Sequence, residues 1–141
     1  MKYSLSGAAL TERFESCRLT AYQDQVRVWT IGWGHTYLVS RGMMCTQAQA
    51  DAWLMDDIAA SEDDVNANVK VPLTQGQFDA LCDFTFNLGR GALNNSTLLK
   101  LLNSGDKENA AKEFEKWDHA GGQVVAGLLR RRQADAEEFE S

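Results

Sequence analysis

Eight residues separate Glu15 from Asp24, and five more separate Asp24 from Thr30. Two carboxyl groups flanking a bond between sugars can split it by acid–base catalysis. One protonates the leaving oxygen, and the other works from the opposite face. Glu15 directly follows Phe14, so partial burial would keep it protonated, whereas an aspartate on an exposed turn stays ionised. Plainer roles fit the same spacing: a surface acid at a helix end, an ordinary turn aspartate and a strand threonine. Spacing alone leaves both readings open.

The elements that must position these side chains follow from local pattern. Leu10 and Phe14 stand at i, i+4, which predicts a short helix from Ser6 to Glu15. Leu19–Tyr22 and Val26–Ile31 alternate as strands around a polar turn, Gln23-Asp24-Gln25. Glu15 is then at a helix end, Asp24 at a hairpin tip and Thr30 on the returning strand. Gly32-Trp33-Gly34-His35 lacks the third glycine of a phosphate-binding loop. Its glycines fit closely approached backbone instead, and His35 reads as a hydrogen-bonded structural histidine. Tyr22, Trp29 and Trp33 suit either sugar stacking or the core.

Downstream the pattern is helical. Thr46 with Gln49 is a capping-box signature for a long helix reaching about Val65, a spine between two lobes. Pro72 breaks the chain, and Thr74 with Gln77 repeats the signature before a helix that ends at Leu88-Gly89. Further helices are predicted over Leu93–Leu102, Lys107–Trp117 (capped by Asp106) and Val125–Phe139, with Gly121-Gly122 as a loop. One small β element near the start plus five or six helices makes the fold class α+β.

Composition narrows the function classes. A chain of 141 residues, 44% hydrophobic and 24% charged, is long enough for one domain with a real core. A net charge of −6 argues against nucleic acid as the main partner. No apolar run is long enough to span a bilayer, and the first residues lack a signal-peptide pattern. Cys17, Cys45 and Cys82 match neither a disulfide framework nor a zinc pattern and are expected to be free, mostly buried thiols. His35 and His119 have no ligand partner at metal-binding spacing, so no metal or other cofactor is expected.

Taken together, Phe14–Asp24, Thr30–Thr36, Phe84–Gly89 and Gly127–Arg131 resemble, in order, four sequence blocks of the phage lysozymes or endolysins of glycoside hydrolase family 24. The resemblance runs along the whole chain and implies a lysozyme-like fold. Residues 1–141 would be one catalytic domain, with a small β-containing lobe joined by a long helix to a helical lobe and a cleft between them. It implies a muramidase that cuts the β-1,4 bond between N-acetylmuramic acid and N-acetylglucosamine in bacterial peptidoglycan. Glu15 would be the general acid, Asp24 the residue that positions or activates water, and Thr30 the third polar partner. An inverting outcome would need the carboxyls about 6.5–9.5 Å apart. Gly34, Thr36, Phe86 and Thr97 match cleft-lining positions, His35 an ion-paired structural histidine, and Arg131 an arginine near the acid. The resemblance further implies a monomer, made in the host cytoplasm and released to the wall by a holin. Ser16 and Arg27 stand where the family usually has glycine. If the turn after Asp24 needs positive φ at position 27, arginine costs on the order of 1 kcal/mol there. A lytic transglycosylase and a wall-binding module without turnover are the competing readings.

Overall fold

A computed structural model describes residues 1–120 and 122–141, with only the backbone described at Arg90 and Ala120. Gly121, half of the expected 121–122 loop, lies outside the described residues. The elements run α1 (Leu5–Phe14), β1 (Arg18–Gln23), β2 (Trp29–Gly32), α2 (Gln47–Asn68), α3 (Gln75–Leu88), α4 (Arg90–Asn94), α5 (Thr97–Asn103), α6 (Lys107–Glu113), β3 (His119–Ala120), β4 (Gln123–Val124) and α7 (Ala126–Glu140). The fold is α+β, as the residue pattern predicts. The chain forms two compact units, Thr11–Ala60 and Met1–Leu10 with Ser61–Ser141.

In the first unit β1 and β2 pair antiparallel, with Tyr22 opposite Thr30 and Gln23 opposite Trp29. The register shifts between Arg18 and Tyr22, a bulge of the kind that re-aims neighbouring side chains. Behind the hairpin, Ala50, Leu54 and Ile58 of α2 recur every four residues and are buried with Ile31. Gly32 (φ 63°) lets strand and helix come this close: a Cβ there would stand 3.1 Å from the Ala50 Cβ. At the start of α2, Gln49 N donates to Thr46 Oγ1 (3.1 Å) and Thr46 N to Gln49 Oε1 (2.9 Å), the reciprocal cap expected from sequence.

The second unit is helical. Phe78, Leu81 and Phe84 give α3 a fully buried face. Phe84 meets Phe114 edge to face (centroids 5.6 Å, 87°) and Trp117 likewise (5.4 Å, 87°). Thr74 and Gln77 form the second expected capping box, and Gly89 at φ 92° ends α3. Buried charge lies beside this aromatic core. Arg131 of α7 donates Nε to Asp83 Oδ2 (3.0 Å) and Nη2 to Asp83 Oδ1 (2.8 Å), a planar two-bond pair. One residue on, Arg132 donates Nη2 to Asn87 Oδ1 (2.8 Å) and lies 3.1 Å from Asp135. Burial, reinforced by the neighbouring Asp83 carboxylate, holds the Asp135 carboxyl well above the ordinary value.

Five points differ from the expectations. The helix expected over Lys107–Trp117 ends at Glu113, and one 3₁₀ turn, Phe114–Lys116, follows it. Val26–Val28 is loop rather than strand, because the Asp24 carboxylate captures its amides. The helix expected over Leu93–Leu102 is two helices, since Ser96 leaves the helical conformation to cap α5 through Leu99 N (3.0 Å). The β3–β4 hairpin was not anticipated; two residues per strand are too few to show alternation. The three cysteines are free, but only Cys82 is buried; Cys17 and Cys45 are half-exposed, and Cys17 Sγ accepts from Gln47 Nε2 (3.6 Å).

The buried charges give a stability test. Asp83→Asn leaves Arg131 underpaired and is expected to cost about 3–5 kcal/mol in chemical denaturation. Asp135 behaves oppositely. A carboxyl raised by folding stabilises fully below its unfolded value and loses that contribution as pH climbs toward its folded value. Relative to Asp135→Asn, the wild type should therefore lose stability steadily above the ordinary carboxylate range; parallel curves would contradict the assignment.

Candidate active site

Asp24 closes the loop between β1 and β2. Its Oδ1 accepts two main-chain amides, Val26 N (2.9 Å) and Val28 N (2.8 Å). Asp24 N in turn donates to Val28 O (2.9 Å), and Arg27 N donates to Asp24 O (3.0 Å). Val28 O accepts a second proton from Thr30 Oγ1 (3.0 Å). The Val28 peptide thus fixes both polar side chains while its own side chain is exposed. Two consequences follow. Asp24 has one oxygen committed to the loop, which orients the other. Thr30, with its only hydroxyl proton spent on a carbonyl, can offer an incoming group nothing but lone pairs.

This loop requires left-handed backbone at Arg27, φ 65°. The positive φ that was conditional in the sequence is present, and an arginine bears it.

Glu15 follows the last residue of α1, its N–H donating to Thr11 O (3.0 Å), and its side chain is half-buried. Its Oε2 is 3.9 Å from where a Cβ on Gly34 would stand. Gly34 lies at φ 86°, inside a tight return in which Ile31 and His35 exchange two main-chain bonds of 2.9 Å. Any side chain at 34 would be strained and would crowd the approach to this carboxyl. Thr36, next but one, is exposed.

His35 is held from α2. Its Nδ1 lies 2.9 and 3.1 Å from the two carboxylate oxygens of Asp57, and its ring stacks on Trp53 (4.6 Å, 6°). With Asp57 ionised, Nδ1–H is the donor. Burial pushes the Asp57 carboxyl upward, and the His35 bond opposes that push. Nearer the start of α2, Asp51 Oδ1 accepts from Trp33 Nε1 (2.8 Å). That bond, with a second from Gln47, holds Asp51 below the ordinary carboxylate value.

Glu15, Asp24, Thr30, Gly34, His35 and Thr36 all belong to the Thr11–Ala60 unit. Phe86, half-buried near the end of α3, Thr97, exposed at the first position of α5, and Arg131, buried on Asp83, belong to the other. Spacing along the chain does not by itself pair His35 with Asp57. Trp53 and Asp57, one helical turn apart on α2, carried a signal for it: an aromatic and an acid on one face. Tyr22, Trp29 and Trp33, the aromatics suited to either sugar stacking or the core, are all half-exposed, and Tyr22 lies under the Arg18 guanidinium (4.5 Å).

The Phage lysozyme family model matches residues 12–135. An endolysin of Acyrthosiphon pisum secondary endosymbiont phage 1 is 46% identical over 145 residues, covering 100% of this chain and 99% of that protein. Among solved structures, the muramidase domain of SpmX from Asticaccaulis excentricus superposes with a TM-score of 0.93 at 38% identity, covering 99% of this chain and 98% of that one. A mutant of P22 lysozyme superposes at 0.94 with 37% identity, covering 100% and 99%.

Replacing Arg27 tests the loop. Left-handed backbone costs a non-glycine residue about 1–2 kcal/mol, partly offset by the greater unfolded-state freedom of glycine. Arg27→Gly is expected to raise unfolding free energy by roughly 0.5–1 kcal/mol in urea titration. A loss of stability would mean that the arginine side chain makes a compensating contact.

Proposed function

The chain belongs to the phage lysozyme family and is a peptidoglycan-hydrolysing muramidase, and on that premise we propose that Glu15, Asp24 and Thr30 are the groups that carry out the hydrolysis. Glu15 is the general acid that protonates the leaving glycosidic oxygen. Asp24 and Thr30 hold the attacking water. The observation that carries these roles is the bonding around Val28. It leaves Asp24 with one uncommitted carboxylate oxygen and Thr30 with acceptor lone pairs only. A water between two acceptors must donate both its protons, which directs its own lone pair outward to the sugar carbon. Such a water attacks on the face opposite the leaving group, the inverting course. The bond cut is the β-1,4 link from N-acetylmuramic acid to N-acetylglucosamine.

Within the Thr11–Ala60 unit, Gly34 and Thr36 line the sugar site in this reading, and His35 supports it. The whole chain works as one catalytic domain and as a monomer, with peptidoglycan rather than nucleic acid as its partner. Among the described residues no helix is long and apolar enough to cross a membrane. We place its synthesis in the host cytoplasm, with access to the wall through holin lesions.

The decisive variant is Asp24→Asn. Its amide oxygen still accepts from Val26 N and Val28 N, so the loop survives while the charge is lost. Wall clearing is expected to fall about 10²–10⁴-fold, while the melting temperature drops by only several degrees as two charge-assisted bonds become neutral ones. Glu15→Gln is expected to fall comparably. Full activity in either variant ends the assignment of that residue. Mass spectrometry of the digest separates chemistries: reducing muramic ends support hydrolysis, and 1,6-anhydro ends indicate a transglycosylase.

A further inference from the structure

A cavity of about 480 Å³ opens in the Thr11–Ala60 unit, away from the carboxyl and hydroxyl groups assigned to hydrolysis. Its apolar wall is Tyr37, Leu38, Met43 and Trp53, with the His35 ring stacked on Trp53. Tyr37 and Leu38 are 72% and 78% exposed, although both are large and apolar. Its polar rim is Asp56 and Asp57, successive residues of α2, with no lysine or arginine in the lining. Asp57 is already bound to His35, whereas Asp56 makes no hydrogen bond or ion pair among the described residues.

The size is within the usual range for small-ligand pockets. Aromatic and thioether walls beside two carboxylates suit one chemistry, a primary ammonium on an aliphatic arm. The carboxylates take the N–H groups, and the apolar wall takes the methylenes and attracts the cation. Neutral sugars would leave the Asp56 charge without a counter-ion, and anions would be repelled. Resting on the muramidase reading, we propose that this cavity is an accessory site for the free side-chain amine of the diamino acid in peptidoglycan stem peptides. Peptidoglycan carries such amines wherever a stem is not cross-linked. The site would therefore favour uncross-linked wall over cross-linked wall.

The test uses ¹⁵N-labelled full-length protein and a soluble stem tripeptide ending in lysine, which contains no glycosidic bond. Saturable shifts are expected at Tyr37, Leu38, Asp56 and the Trp53 indole, with dissociation constants in the roughly millimolar range. Acetylating the amine should weaken binding about ten-fold, and Asp56→Asn several-fold. Equal affinity for the acetylated peptide, or shifts elsewhere only, overturns the site. A second readout is kinetic. Acetylating wall amines should raise KM for the wild type and by a smaller factor for Asp56→Asn, with kcat unchanged in both; equal wild-type KM on both walls also overturns it. Peptide binding is measured without turnover, so failure to clear walls would count against the muramidase reading and leave this result standing.

Discussion

A single carboxylate oxygen, Oδ1 of Asp24, takes two main-chain amide protons across the turn between β1 and β2. The form of the loop between β1 and β2 depends on that capture. It stops β2 from beginning at Val26, makes Val28 a peptide shared by Asp24 and Thr30, and obliges the intervening residue to adopt left-handed backbone. Charged acceptors make hydrogen bonds of about 1.5–3 kcal/mol each. The water-holding role proposed for Asp24 requires a side chain that does not wander, and the loop's own amides hold it.

Glu15, the proposed acid, is positioned by a different device. Glu15 sits where α1 runs out, and the Ile31–His35 return brings the bare Gly34 backbone beside its carboxyl. That return is clamped from α2 by the stacked His35–Trp53 pair and by Asp57. Gly32 meanwhile lets β2 lie against Ala50. The Gly-Trp-Gly-His run therefore serves geometry rather than chemistry: its glycines admit neighbours, and its histidine anchors a turn. In the helical unit buried charge has a comparable anchoring part, since Arg131 is gripped by both oxygens of Asp83.

Much of this was legible in the residues. Both capping boxes and the glycine end of α3 are encoded within a few positions, and local signals of that kind survive folding. The placement of Glu15 after a helix and Thr30 on a strand was legible for the same reason. What was not legible depends on competition or distance. Val26 and Val28 look like strand residues, but an aspartate side chain outbids the sheet for their amides. Ser96 interrupts a helical run because its hydroxyl caps a new one. Asp57 as the partner of His35, twenty-two residues away, required knowing which face of α2 meets the Ile31–His35 return.

Arg27 shows how such competition is decided. Its left-handed φ costs on the order of 1–2 kcal/mol relative to an ordinary conformation. Against it stand two charge-assisted bonds to Asp24 Oδ1 and the main-chain bond from Asp24 N to Val28 O, together several kcal/mol. The strain is too small to pull the loop open, so it appears as lost global stability rather than as a displaced aspartate. For a domain with about 5–15 kcal/mol in reserve such a loss is tolerable. Arginine at 27 therefore leaves the bonding around Asp24 intact, and it can stand where a glycine would be less strained without moving the groups proposed to carry the chemistry.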